Sequence, residues 1–224
     1  MEINIIKGRQ SAPSIGDGLK IAVVPACSGA GASFVCSYLL SEGLFDAPTP
    51  KGTKTLVELG NPYFFSALGM DKRFAGRNFF DYTKGGKFEY NTELGVNWYL
   101  KLPTSQPVDS PCILRTVCRA PGNLVIFDCS GLCASPLLSD VLPDMDIVYL
   151  VVDPLPSRLL SSCGFIESIR SEYPRTELVV NKYNKGIHRG ELNAFLSTNN
   201  YHILDAVPFE RIYRAEYNCQ LLKF

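Results

Sequence analysis

The sequence predicts a three-layer α/β fold in which a mostly parallel central sheet is flanked by helices, and three observations carry that reading. Apolar, β-rich runs recur along the chain, and several are continuous rather than alternating, as in strands buried on both faces. Helical patterns fall between these runs, the alternation expected of a parallel sheet. At 224 residues and 46% hydrophobic content, there is ample material for a single core.

Residues 1–19 read as an N-terminal extension, with an edge strand expected over Ile3–Ile6 before a linker containing Gly16 and Gly18. Residues 20–224 then read as one domain. Its first core strand is expected over Lys20–Val24, followed by a helix over Phe34–Glu42. Strands follow at Thr55–Leu59, Val96–Leu102, Asn123–Phe127, Ile147–Val152, Glu177–Val180 and Tyr201–Leu204. Longer helices are expected over Arg158–Tyr173 and Arg189–Asn199, with shorter ones near Pro62–Gly69, Pro111–Arg119 and Ser135–Leu142. In such sheets ligands gather at the carboxyl ends of the strands, so the loops after Val24, Leu59, Phe127, Val152 and Val180 should share one rim.

Lys plus Arg and Asp plus Glu both number 22, so net charge does not argue for a polyanionic partner. No apolar run approaches the roughly 20 residues that cross a bilayer, and the start of the chain lacks a secretory h-region. A cytoplasmic protein is expected. Cys27, Cys36, Cys129 and Cys163 lie in apolar segments, so the eight cysteines read as thiols rather than disulfides or metal ligands. The aromatic group Tyr63, Phe64, Phe65, Phe74, Phe79, Phe80 and Tyr82 reads as a satellite core. Lys84-Gly85-Gly86-Lys87 reads as a turn, because no buried strand precedes it. SGAGAS is not a nucleophile elbow, which argues against a Ser–His–Asp hydrolase.

The segment IAVVPACSGAGASF reads as a buried strand, a Gly-rich turn and a helix, the layout that cradles a phosphate. Gly29 and Gly31 permit backbone N–H groups to face an anion, Ser33 offers a hydroxyl for Mg²⁺, and the helix N-terminus adds its dipole. Ala32 stands where the phosphate-binding Lys belongs. Close strand–helix packing is the alternative use of these glycines. In NLVIFDCSG, Asp128 ends a buried strand, where it can hold Mg²⁺ or its waters beside Ser33, or cap the next helix. Asn181, at the end of TELVVN, presents a donor and an acceptor suited to a purine edge, and is equally an ordinary turn residue.

Together these segments resemble the MinD/ParA family of deviant-Walker P-loop ATPases over roughly residues 19 to 220. The family loop K-G-G-x-G-K-T-T falls on Cys27, Ser28, Gly29, Ala30, Gly31, Ala32, Ser33 and Phe34, so both lysines are replaced. The first-switch Asp is missing from LVELGNPYF, although Glu58 lies nearby. Asp128 matches the second-switch Asp, Asn181 the base-contacting Asn, and Val207-Pro208-Phe209 the segment bordering the adenine. DIVYLVVDPLPSRLLSS resembles the following strand and helix.

The resemblance implies a P-loop NTPase-like fold, with ATP or ADP and Mg²⁺ as the ligands of Ser28 to Phe34, Asp128, Asn181 and Pro208. Ser33 and Asp128 would be the metal ligands. A single cationic finger is worth about 10³ to 10⁵ in phosphoryl-transfer rate, so without its lysines the chain is expected to hydrolyse ATP negligibly and to bind nucleotide weakly or not at all, with no catalytic residue assigned. Lys182, Arg211 or a partner chain could supply the missing charge. Relatives with eroded loops include the CpaE/TadZ-like pilus-assembly proteins, which implies a scaffold, localisation factor or regulator that dimerises or docks partners through the phosphate-loop face. A partner-activated ATPase is the alternative. A DNA or membrane-surface adaptor acting through RIYRAEYNCQLLKF is a further one; that segment reads first as a packed final helix.

Overall fold

The computed structural model describes residues 18–84, 92–103 and 108–224. The expected Ile3–Ile6 strand and most of the Lys84–Lys87 turn lie outside the described residues. In chain order the elements are β1 (Leu19–Pro25), α1 (Ala32–Ser41), β2 (Lys54–Glu58), α2 (Tyr63–Ala67), β3 (Phe80–Asp81), β4 (Thr92–Glu93) and β5 (Val96–Leu100). They continue with α3 (Ser110–Arg119), β6 (Leu124–Asp128), α4 (Leu137–Val141), β7 (Ile147–Val152) and α5 (Pro156–Glu172). The chain ends with β8 (Thr176–Tyr183), α6 (Arg189–Leu196), β9 (His202–Asp205) and α7 (Phe209–Tyr217).

The strands form one sheet in the order β3-β5-β2-β6-β1-β7-β8-β9, with β4 pairing β5. That last pair is antiparallel and the remaining pairs are parallel. Continuous apolar runs explain the arrangement: LVIFD of β6 is buried along its whole length, as is VNWYL of β5. Ala22, Val24, Val125 and Phe127 face one layer with Val117, Leu159 and Leu192 of the helices. Ile21, Val23, Leu56 and Ile126 face the other with Val35, Leu39 and Phe64. Alternate residues of each strand thus feed opposite cores, which gives the three layers.

Boundaries shift where backbone geometry decides. The first helix begins at Ala32, two residues before its expected start, because Gly31 adopts φ 95° and its carbonyl accepts from the amides of Phe34 and Val35. The α6 helix stops at Leu196 instead of Asn199, where Ser197 turns left-handed. The eighth strand runs on to Tyr183 through a register irregularity after Val180. The aromatic group does not form a satellite core: Phe64 and Tyr82 enter the two main cores, while Phe74 is 77% exposed. The final helix also departs from expectation. No residue of α7 is buried, and the segment is secured instead by Leu222 in the core and by Phe224, whose ring lies 5.0 Å from Phe34 and 5.1 Å from Tyr38.

Candidate functional site

The Gly-rich turn joins the central strand β1 to α1 at the carboxyl rim, where the neighbouring strands on either side, β6 and β7, diverge in chain order. Three side chains from distant elements hold its carbonyls. Asn181 Nδ2 donates to the carbonyl of Ala30 at 2.8 Å, Lys182 Nζ to that of Gly29 at 2.5 Å, and Arg158 Nη1 to that of Ser28. The β8 irregularity makes the first two possible, since Lys182 sits at φ 59° and the turn brings Asn181 and Lys182 together beneath the loop. Lys182 also pairs with Asp153 at 2.9 Å. Gly31 must stay bare, because a Cβ there would lie 2.2 Å from Asn181 Nδ2.

A cavity of about 730 Å³ opens over the turn. Ser28, Gly29, Gly31, Ala32, Ser33 and Phe34 line it on one side, and Asn61, Tyr63, Ser130, Ile212 and Glu216 on the other. Ala30 is buried beneath, and Asn181 is 2% exposed behind the loop, its Oδ1 without a partner. Pro208 caps α7 and does not line the cavity. Among the described residues no Lys or Arg lines this space, and Glu216 is the charged group within it. Arg211, considered from sequence as a substitute cation, bonds the carbonyl of Lys223.

Beneath the cavity lie two carboxyls. Asp128 ends β6 and Glu58 ends β2, opposite one another in the parallel register, and both are fully buried. Asp128 Oδ1 accepts from the Ser130 amide at 2.9 Å, and Glu58 Oε1 from the Phe64 amide at 2.6 Å. Asp128 Oδ2 and Glu58 Oε2 have no partner among the described residues. Burial pushes Glu58 well above the usual carboxylate range, and the charge of Asp128 pushes it further. Burial raises Asp128 as well, while the Ser33 hydroxyl and the Ser130 amide pull the other way. Ser33 Oγ meets Ser130 Oγ at 3.1 Å, which brings the loop hydroxyl to the turn after Asp128.

The first-switch stretch docks on that same turn. The Asn61 amide donates to the carbonyl of Ser130 at 2.8 Å, and Gly60 packs so tightly there that a Cβ would lie 1.5 Å from the Ser130 oxygen. Tyr63 then donates its hydroxyl to Glu216 at 2.9 Å, tying α2 to α7 across the cavity mouth. Glu216, Ile212 and the loop-holding role of Arg158 were not found from sequence. Glu216 is signalled only by a charged position on the amphipathic helix α7, and nothing in the local sequence signals Ile212 or Arg158.

No protein-family model matches the chain, and no curated protein matches it in sequence. Solved structures do. A ParA family ATPase from Chlorobium tepidum TLS matches with a TM-score of 0.68 and 13% identity, over 92% of this chain and 90% of that one. The septum site-determining protein MinD from Pyrococcus horikoshii OT3, complexed with Mg-ADP, matches with a TM-score of 0.67 and 13% identity, over 92% and 87%. A chain of the MinC:MinD cell division protein complex of Aquifex aeolicus matches with a TM-score of 0.66 and 12% identity, over 91% and 87%. Similarity of this extent along both chains shows that the protein has the MinD/ParA-like P-loop ATPase fold.

Proposed function

We propose that this protein is a degenerate member of the MinD/ParA-like group that acts as a scaffold, localisation factor or regulator, with weak or no nucleotide binding and negligible hydrolysis. The observation that carries this reading is the charge of the loop cavity. Ala32 occupies the lysine position and is 2% exposed, no Lys or Arg reaches the cavity among the described residues, and Glu216 faces into it. The two nearby cations are turned outward, onto the carbonyls of Ser28 and Gly29.

The remaining groups fit part of a nucleotide site. Ser33 and the unpartnered Asp128 Oδ2 suit Mg²⁺ as hard oxygen donors, and the turn between Ser28 and Ser33 fits a phosphate by shape. Mg²⁺ would supply charge neutralisation of phosphate oxygens there. A polyphosphate entering this cavity nevertheless meets a carboxylate and no protein cation. Catalysis of phosphoryl transfer rests on positioning and charge stabilisation, so these groups alone cannot sustain it. A cytoplasmic setting, and docking of protein partners or a second copy on the loop face, belong to the same reading.

The retained Asp128 and Ser33 favour a second reading, a slow ATPase completed by a cation from another subunit or partner. Calorimetric titration with ATP and ADP, with and without Mg²⁺, separates the two when repeated on Asp128→Ala. No saturable binding at millimolar nucleotide supports the scaffold. Tight Mg²⁺-dependent binding lost in the variant supports the partner-activated enzyme.

A further inference from the structure

A second cavity of about 530 Å³ lies on the other side of the loop's supports, between the turn after β7, the first turns of α5 and the helix α6. Its size is within the range of about 300 to 1,000 Å³ typical of small-molecule sites. Leu159, Ile187, Leu192 and Phe195 give it an apolar floor, and Leu155, 57% exposed, stands at its rim. Arg158 and Lys182 form one wall.

The charges in that wall are not equivalent. Lys182 is neutralised by Asp153 at 2.9 Å. Arg158 donates only to the neutral carbonyl of Ser28, and among the described residues no carboxylate lies within ion-pair distance of it. Glu191, on the opposite wall, occupies the first turn of α6, where the helix dipole favours an acidic side chain. His188 completes the rim. The cavity therefore offers one guanidinium without a carboxylate partner above an apolar floor, with the Glu191 carboxylate on the wall opposite it.

We propose that this cavity binds a small amphipathic anion, an aromatic or aliphatic molecule bearing a carboxylate or sulfonate. Its acidic group takes Arg158 and its body lies on Leu159, Leu192 and Phe195. Charge-assisted hydrogen bonds are roughly twice as strong as neutral ones, so the anion competes with the Ser28 carbonyl for Arg158. Occupation thereby loosens the phosphate loop from one of its three holders. The proposal is independent of whether the loop cavity takes a nucleotide.

The test is fluorescence titration with 8-anilinonaphthalene-1-sulfonate, an aromatic anion. Saturable binding at one site per chain is expected. Arg158→Gln and Phe195→Asp should each weaken it at least tenfold, Arg158→Lys should retain most of it, and Asn61→Asp in the loop cavity should leave it unchanged. Near-ultraviolet circular dichroism of each variant separates lost binding from lost folding. Absent binding, or binding insensitive to Arg158→Gln and Phe195→Asp, overturns the site. Amide hydrogen exchange should quicken over residues 28–30 when the probe is saturating; unchanged exchange there overturns the link to the loop.

Discussion

Glu58 and Asp128 stand opposite each other at the ends of β2 and β6, fully buried, each with one oxygen bonded to a backbone amide and one without a partner among the described residues. Two adjacent carboxyls in a dry site cannot both ionise cheaply. Lys101 nearby lowers Glu58 only partly against burial and Asp128.

The sign of the pH dependence follows. A carboxyl whose folded pKa is raised holds its proton longer in the folded chain than in the unfolded one, where glutamate titrates near 4.3. Stability therefore falls as pH rises from about 4 through the raised folded value. Glu58→Gln keeps an oxygen for the Phe64 amide and removes the charge. It should raise stability at pH 7 and flatten the fall that begins above about pH 4, read by urea denaturation at several pH values.

Asn181 links the rim to the loop by one buried hydrogen bond to Ala30 at 2.8 Å. Asn181→Ala should cost about 1 to 3 kcal/mol, the penalty for leaving a buried acceptor unpaired. Gly31→Ala should cost at least as much, because it combines φ 95° with a clash against the same amide. Chemical denaturation measures both, and wild-type stability in either variant would show that this contact is not what holds the loop.

Adding a cation to the loop cavity and removing its carboxylate tests the charge argument directly. Ala32→Lys combined with Glu216→Gln should tighten ATP binding at least tenfold, since each ten-fold step is only about 1.4 kcal/mol. Phosphate release should stay at background, because the first-switch acid is still missing. Equal ATP affinity in the variant and the parent protein would argue that charge is not what limits binding.

Aromatic edge contacts of Phe224 secure the end of the chain, alongside the Tyr63–Glu216 bond of α7. Phe224→Ala removes one ring that lies 5.0 Å from Phe34 and 5.1 Å from Tyr38. A loss of about 1 to 2 kcal/mol is expected from such pairs and their burial, with faster exchange in the first turn of α1.

Local features were legible where one segment decides them. The continuous apolar runs of β1, β6 and β7, and the glycines of the turn before α1, identify the sheet and its loop without tertiary information. The two-residue strands β3 and β4 carry no such pattern. The loop's holders were illegible for a different reason: Asn181 and Lys182 lie 151 and 153 positions from the carbonyls they bind. Asn181, whose strand-end position suits a purine edge and an ordinary turn equally, donates its amide to the Ala30 carbonyl in the structure. Pro208, which the resemblance sets beside the adenine, does not line the loop cavity, whereas Ile212 and Glu216 of the following helix do. Which helix face meets a cavity depends on the packing of α2 against α7, which no local spacing encodes.

The most direct measurement is steady-state phosphate release from ATP and Mg²⁺ by the purified chain, set beside its Ser33→Ala/Asp128→Ala double variant. The same background rate in both is predicted, because among the described residues no Lys or Arg lines the loop cavity to stabilise the transferring phosphoryl group. Release by the parent chain well above that of the double variant would contradict the account and make the protein an ATPase in its own right.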